Sequence, residues 1–216
     1  MSKKSVYSLV LADDLVRAID RLAYTRRTSR SNLINQILAE HLSLSTPEMK
    51  MKEILSRMEH LISTYSDFQL AFPSTDSQLS LRSSISYKYN PTVQYSIVLY
   101  RNPTPAFGEL RVVFRTRNAS LINMLTDFFK LWVQIESSHL GDSVPHNSIS
   151  FEIQPGKFIR QLMYPLNKSI SPGDATAGYI NLFDSMMKLY FENPITAPDK
   201  IESEYIAYLK SGAAII

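Results

Sequence analysis

Residues 3–44 read KKSVYSLVLADDLVRAIDRLAYTRRTSRSNLINQILAEHLSL, and this stretch decides the fold predicted for the start of the chain. Its first part, residues 5–11, alternates with the period of a β-strand. One face carries Tyr7, Leu9 and Leu11, and the other carries Val6, Ser8 and Val10. A single short strand cannot form a sheet, and no other strand is predicted before residue 79. The sequence therefore predicts pairing with the same strand of a second copy of the chain.

Two helices are predicted to follow this strand. Asp13 or Asp14 is expected to cap the first, because a carboxylate is favourable at the positive end of a helix dipole. A break is expected at residues 26–28, and Ser29 then supplies the second N-cap. Apolar residues recur at helical spacing in both: Leu15, Val16, Ile19, Leu22 and Ala23 in the first, and Leu33, Ile34, Ile37, Leu38, His41 and Leu42 in the second.

The start of the second helix is a candidate phosphate-binding site. Its backbone N–H groups are free, and the helix dipole places a partial positive charge there. Arg30 adds a cation, and Ser29 and Ser31 add hydroxyl groups. These groups together predict that a phosphate would be held at this position.

The order of strand, acidic cap, helix, turn and then S-R-S-x-L-I opening a second helix resembles the ribbon-helix-helix superfamily of DNA-binding proteins, the Arc/MetJ/CopG class. The resemblance covers residues 4–44 without a gap. It implies a β-α-α module in which two chains intertwine and their strands pair antiparallel. The resulting ribbon would enter the major groove of double-stranded DNA.

The resemblance also implies roles for individual residues. The implied base contacts are Lys4, Val6, Ser8 and Val10, and the implied phosphate contacts are Lys3, Arg27, Ser29, Arg30 and Ser31. Tyr7, Leu9 and Leu11 would join the dimer core. Two features depart from the family. Arg27 stands in the turn where the family often has glycine, so either it adopts a left-handed conformation or the turn has another shape. Val6 and Val10 can contact a thymine methyl group but cannot recognise a hydrogen-bond pattern.

The charge of the chain agrees with this assignment. Residues 1–45 hold seven basic and four acidic side chains, and the remaining residues balance, so the net charge of +3 lies in the first fifth of the chain. A polyanion is therefore expected to bind there.

Composition limits the class of protein. A chain of 216 residues with 44% apolar residues can bury a globular core. The chain has no cysteine, which excludes disulfides and thiolate metal sites. It has no apolar run of membrane-spanning length and no recognisable signal peptide, so a cytoplasmic location is expected.

Residues 46–72 are predicted to form a long amphipathic helix that connects the two domains. Its apolar residues step by three and four: Met51, Ile54, Met58, Leu61, Tyr65, Phe68 and Phe72. This pattern fits either a two-stranded coiled coil that extends the dimer or a helix that packs on its own C-terminal domain.

Residues 73–216 are predicted to form an α+β domain for sensing or oligomerisation, with an antiparallel sheet and several helices. After a turn at 73–78, strands are expected at 79–89, 93–101 and 109–117 as a meander, and at 148–154 and 157–164 as a hairpin around Pro155-Gly156. Helices are expected at 121–137, 173–192 and 198–210. One sheet face is apolar, with Leu79, Leu81, Ile85, Tyr87, Val93, Tyr95, Ile97, Leu99, Leu110, Val112 and Phe114.

The opposite face of this sheet is basic, with Arg82, Lys88, Arg111, Arg115 and Arg117. It would hold an anionic effector such as a nucleotide, or add contacts to DNA phosphates. The alternative is an ordinary solvated sheet face, neutralised by acidic residues such as Glu152 or Asp184.

The spacing of histidines, glycines and carboxylates matches no catalytic, metal-binding or phosphate-loop motif, so neither an enzyme nor a cofactor is expected. The predicted function is sequence-specific DNA binding by a homodimer, or a higher oligomer such as a tetramer. The protein would be a transcriptional regulator whose C-terminal domain binds an effector or partner. The alternatives are a plasmid-partition or relaxosome accessory protein and the antitoxin of a toxin–antitoxin pair.

Overall fold

A computed structural model describes residues 6–87, 91–140 and 149–211. The chain divides into two compact units, Met1–Lys50 and Met51–Ile216. The first unit contains helices α1, Asp13–Thr25, and α2, Arg30–His41. Helix α3, Pro47–Ile62, begins in the first unit and continues into the second.

Both helices of the first unit begin and end close to their predicted limits. Ser29 caps α2 as expected, since its hydroxyl accepts a hydrogen bond from the Asn32 backbone N–H at 3.2 Å. The cap predicted for α1 is wrong: Ala12 occupies the N-cap position, and it has no side chain that can accept a hydrogen bond. Asp13 and Asp14 instead lie in the first turn of α1, where the helix dipole still favours their charges.

The strand predicted at residues 5–11 does not form in the single chain. Residues 6–11 belong to neither a helix nor a strand, so the first element of the described chain is α1 rather than the strand of a β-α-α module. The physical reason is that a strand needs a hydrogen-bonded neighbour. The described part of the first unit contains no other strand that could supply one.

The apolar face of α3 packs within the second unit. Met51, Leu55, Met58 and Ile62 are buried in that unit's hydrophobic core. The sequence left two arrangements open for residues 46–72, a coiled coil and a helix that packs on its own domain. The burial of these side chains matches the second.

The helix is shorter than predicted, because α3 ends at Ile62 and residues 68–75 form a strand. Just after that end, the hydroxyls of Ser63 and Thr64 bond the carbonyls of His60 and Leu61, each at 2.6 Å. Such bonds compete with the continuation of a helix.

The second unit contains one antiparallel sheet. Its strands are β1 Phe68–Thr75, β2 Gln78–Ser84, β3 Thr92–Leu99, β4 Gly108–Phe114, β5 Phe151–Gln154 and β6 Lys157–Leu162, and its further helices are α4 Ala119–Leu140, α5 Pro172–Glu192 and α6 Ala197–Lys210. The strand order is β1-β2-β3-β4-β6-β5. The predicted meander and hairpin are confirmed, whereas strand β1 was missed and the turn expected at 73–78 lies within and after it.

One face of the sheet forms the core of the unit. The predicted apolar residues of β2, β3 and β4 are buried, and Tyr87 is partly buried against them. Aromatic rings of α4 and α5 pack on this face: Phe129 stacks on Phe158 at 5.3 Å between centroids, and Phe183 stacks on Phe158 at 5.4 Å. In this hydrophobic cluster the helices pack on one face of the sheet only, and the opposite face, here called the outer face, is not part of the cluster.

A buried ion pair connects this core across three elements. Arg160 of β6 donates to both carboxylate oxygens of Glu136 of α4 at 2.9–3.2 Å, and both side chains are at most 1% exposed. Tyr179 of α5 donates to the same carboxylate at 2.8 Å and accepts from the Trp132 indole at 2.8 Å. Burial lowers the pKa of Arg160, but the charge of Glu136, the neighbouring Tyr179 and the hydrogen bonds to Glu136 together outweigh burial and raise it.

A second buried carboxylate attaches α5 to the sheet. Asp184 is 1% exposed and accepts hydrogen bonds from Tyr95 of β3 at 2.7 Å and Ser83 of β2 at 3.0 Å. Lys188, one helical turn further, pairs with Asp184 at 2.6 Å and with Asp67 at 2.8 Å. Burial, followed by the charge of Asp184, raises the pKa of Tyr95 well above its ordinary value. Asp184 is therefore fully engaged inside the core and does not neutralise the outer sheet face.

We predict that Arg160→Met destabilises the second unit by about 3–5 kcal/mol, because it leaves the buried charge of Glu136 unpaired. The double variant Arg160→Met, Glu136→Gln should recover part of this loss, since the amide oxygen still accepts from Tyr179 and no charge is stranded. Lys130→Met, which removes one partner of an exposed pair on α4, should cost less than about 1 kcal/mol. Urea denaturation measures all three, and equal losses for the first and third variants would contradict the prediction.

Candidate nucleic-acid interface

The turn between α1 and α2 has the geometry of a Schellman C-cap. The N–H of Thr28 bonds the carbonyl of Ala23 at 3.0 Å, and the N–H of Arg27 bonds the carbonyl of Tyr24 at 3.1 Å. Arg27 has φ 50°, so a non-glycine residue adopts the left-handed conformation here. This is the first of the two shapes that the sequence left open, and it presents an exposed arginine at the tip of the turn.

Arg30, at the first position of α2, pairs with Asp20 of α1. Its Nε and Nη2 atoms each lie 2.5 Å from one carboxylate oxygen, and both side chains remain about half exposed. The hydrogen bond and then the charge of Asp20 raise the pKa of Arg30. The sequence did not predict this partner, because residues ten apart come together only after the two helices pack. The guanidinium is held at the N-terminus of α2, beside exposed Ser31.

Residues 6–10 are all exposed, so the two faces predicted from their alternation stay a prediction. Val6 and Val10 are 100% and 102% exposed, whereas Leu9 is 61% exposed and Leu11 is partly buried against the small core of this unit. Ser8 is also exposed. Lys3 and Lys4, two further candidate contacts, lie outside the described residues.

The first unit leaves most of its apolar side chains in contact with solvent. Its buried cluster consists of Ile19, Ala23 and Leu33 alone, with Leu11 and Ile34 beside it. The large apolar side chains that stay exposed are Val6, Tyr7, Leu9, Val10, Leu15, Leu22, Tyr24, Ile37, Leu38, Leu42 and Leu44. Exposed apolar side chains in this number are unusual for so small a unit, and where they are contiguous they mark interaction sites. The helical stripes predicted from the sequence are therefore only partly covered within one chain.

The basic residues of the outer sheet face do not converge on a pocket. Arg111 is paired with Glu109 of the same strand, and Glu109 also accepts a hydrogen bond from Tyr100 at 2.7 Å. Arg82 lies two strands away, opposite Gln94 of β3. Arg115 and Arg117 follow the end of β4 and are exposed. Lys88 lies outside the described residues. The register of the strands therefore does not favour the binding of one anionic effector by all five side chains.

Comparison with known proteins does not add a function to this geometry. No protein-family model, curated protein or solved structure matches the sequence. None of the helices in the described ranges combines the length and apolar character needed to span a bilayer. In the same ranges, no group of three or more histidine, aspartate or glutamate side chains is placed to hold a metal ion.

A surface pocket of about 460 Å³ lies between α3 and the start of α5. Arg57 bridges it, donating to both carboxylate oxygens of Asp174 at 2.7 Å. This hydrogen bond lowers the pKa of Asp174. Gly173 is required beside it, because a Cβ there would lie 2.7 Å from the Ile54 carbonyl oxygen. The charges of Arg57 and Asp174 neutralise each other, and the pair holds α5 on α3. Its role is therefore structural.

We predict that the left-handed turn makes Arg27→Gly more stable than Arg27→Ala by about 1 kcal/mol. Both variants lose the same charge, but only glycine adopts a positive φ without steric strain. Hydrogen exchange of the α2 backbone amides measures the difference in the first unit. Equal protection in the two variants would show that the turn does not hold this conformation.

Proposed function

We propose that this chain is a DNA-binding transcriptional regulator of the ribbon-helix-helix type, which acts as a homodimer. The observation that carries the proposal is the incomplete first unit, in which a buried cluster of only three side chains holds the two helices together and an alternating segment has no strand partner. A second copy supplies both missing parts at once. Its segment 6–11 pairs with the first, and its helices cover the exposed apolar stripes.

The energetics favour association over an isolated unit. Burying one leucine side chain contributes roughly 1.5–3 kcal/mol. Leu9, Leu38 and Leu42 are each about half exposed or more, and each would be counted twice in a symmetric dimer. These contributions add up to more than the rotational and translational cost of a typical association, which is at least about 4 kcal/mol.

The electrostatics favour a nucleic acid as the ligand of the dimer. Arg27 at the turn and Arg30 at the N-terminus of α2 lie close in sequence, and the free N–H groups of α2 have the orientation that binds phosphate. Val6, Ser8 and Val10 would face the bases of the major groove. Because two of these three side chains are apolar, DNA shape and flanking phosphates would contribute much of the specificity.

The second unit argues against an antitoxin. An antitoxin of this class would be expected to carry a short segment that folds on its toxin, whereas residues 51–216 form their own sheet and core. A role in plasmid partition requires the same DNA contacts and differs in the site that is bound. We propose that the second unit responds to an effector or partner and changes DNA binding in this way.

We predict that Leu9→Ser weakens dimerisation and Val10→Ser does not. The two residues are adjacent and both exposed in the single chain, but only the face of Leu9 would enter the dimer core. Loss of two leucine contacts corresponds to about 4 kcal/mol, or roughly a thousandfold weaker association. Sedimentation equilibrium measures the dissociation constant. Equal effects of the two substitutions would contradict the proposed ribbon.

We predict that Arg30→Ala weakens binding to all duplex sequences and lowers the slope of log affinity against log salt by about 1 per arginine. Asp20→Asn is the matched control, because it breaks the same ion pair but keeps the cation. It should leave the slope unchanged or strengthen binding. Fluorescence anisotropy with labelled duplexes at several salt concentrations provides the measurement.

Two results would contradict this proposal. If Asp20→Asn weakened binding as much as Arg30→Ala, the arginine would act through the fold of the unit and not through a phosphate. If the unmodified protein bound no duplex at low salt, the proposed function itself would be wrong.

A further inference from the structure

The register of the sheet brings together a row of side chains that the sequence did not associate. On the outer face, one row crosses all six strands and consists of Gln69, Arg82, Gln94, Val113, Lys157 and Gln154. It contains two cations, three amides and no carboxylate. Lys157 enters it because β6 inserts beside β4, which no local pattern indicates.

The side chains of the two cations in this row have no partner among the described residues. Neither Arg82 nor Lys157 makes a hydrogen bond or an ion pair in the described part of the chain. Arg82 and Lys157 are three strands apart, or about 14 Å at roughly 4.8 Å per strand. Arg115, also without a partner, follows the end of β4 near the same row.

The acidic groups of this face are already engaged. Glu109 is bonded by Arg111 and Tyr100, and Glu152 accepts from the amide of Gln154. Only Glu109 is paired with a cation, because the Gln154 amide leaves the charge of Glu152 in place. The three unpaired cations Arg82, Lys157 and Arg115 still outnumber this one carboxylate, so the face keeps a net positive charge.

We propose that this outer face is a second binding surface for the phosphates of double-stranded DNA. The inference rests on the proposed function, since it assumes that the chain binds DNA, and it assigns a direct role to the second unit. Arginine and lysine would neutralise phosphates, and the amides of Gln94 and Gln69 would donate hydrogen bonds to phosphate oxygens.

The chemistry of the face selects this partner over two others. Single-stranded nucleic acid is bound by stacking its bases on aromatic side chains. The rows that the described register places on the outer face contain no aromatic residue. A protein partner would need large exposed apolar anchors. No outward position of the described strands is a large exposed apolar residue, because Leu70 of β1, which is 37% exposed, pairs with inward-facing Leu81.

The test compares Arg82→Gln, Lys157→Gln with Lys52→Gln, Lys200→Gln in the full chain. Both double variants remove two positive charges from the second unit, but Lys52 and Lys200 are exposed on helices α3 and α6. Because each lost phosphate contact lowers the salt slope by about 0.9, the outer-face variant should lose about 2 per chain relative to the unmodified protein. The control should keep its slope. Gln94→Lys adds a cation to the row and should raise the slope by about 1.

Combination with Arg30→Ala separates this inference from the proposed function. If the outer-face variant binds duplex DNA like its control while Arg30→Ala weakens binding, the further inference is wrong and the proposed function stands. If only the outer-face variant loses affinity, the first unit is not the DNA-binding element. Additive losses in the combined variant support both. A preference for single-stranded over duplex DNA that disappears in the outer-face variant would overturn the assignment of the partner.

Discussion

The second unit depends on the buried pair of Glu136 and Arg160. An ionised carboxylate or guanidinium in a dry core costs several kcal/mol unless it is paired and hydrogen-bonded. Here the geometry satisfies both groups: Arg160 donates three bonds to Glu136 and one to the Gln161 carbonyl, and Tyr179 supplies a further donor. The guanidinium also lies 4.4 Å from the centroid of the Tyr179 ring. Only one mutual placement of α4, α5 and β6 provides all these contacts, so the pair specifies the packing of the helices on the sheet more than it adds stability.

What the sequence predicted correctly depends on neighbours along the chain. Ser29 caps α2 because its hydroxyl needs only the N–H three residues later, and Pro155-Gly156 closes a hairpin because glycine accepts a φ of 69°. The alternation in β3 and β4 identified the buried face in the same way. These features require no knowledge of what packs against the segment.

What the sequence missed depends on residues far apart. Phe68 continues the spacing of α3, but its strand is stabilised by pairing with β2, and local spacing cannot show this partner. The Asp20 partner of Arg30 and the position of Lys157 in the sheet could likewise not be read from the sequence. Arg30 pairs with Asp20, and Arg111 pairs with Glu109. Lys157 lies on the outer face only because β6 pairs with β4. A count of charges along the sequence therefore includes cations that are paired in the fold, and it misses cations that the fold brings to one surface.

The two units differ in whether they are complete, and this difference bears on how binding could be controlled. The second unit has a large buried core and pairs its buried charges within the described chain. The hydrophobic cluster of the first unit contains three buried side chains, and under the proposal a second copy would supply the rest of its core. Affinity for DNA would then be linked to dimer concentration by mass action. Phosphate contacts on a rigid second unit would raise the affinity of every bound dimer without changing the base contacts. Such contacts would adjust affinity independently of the base contacts, which the proposal assigns to the short segment around Ser8.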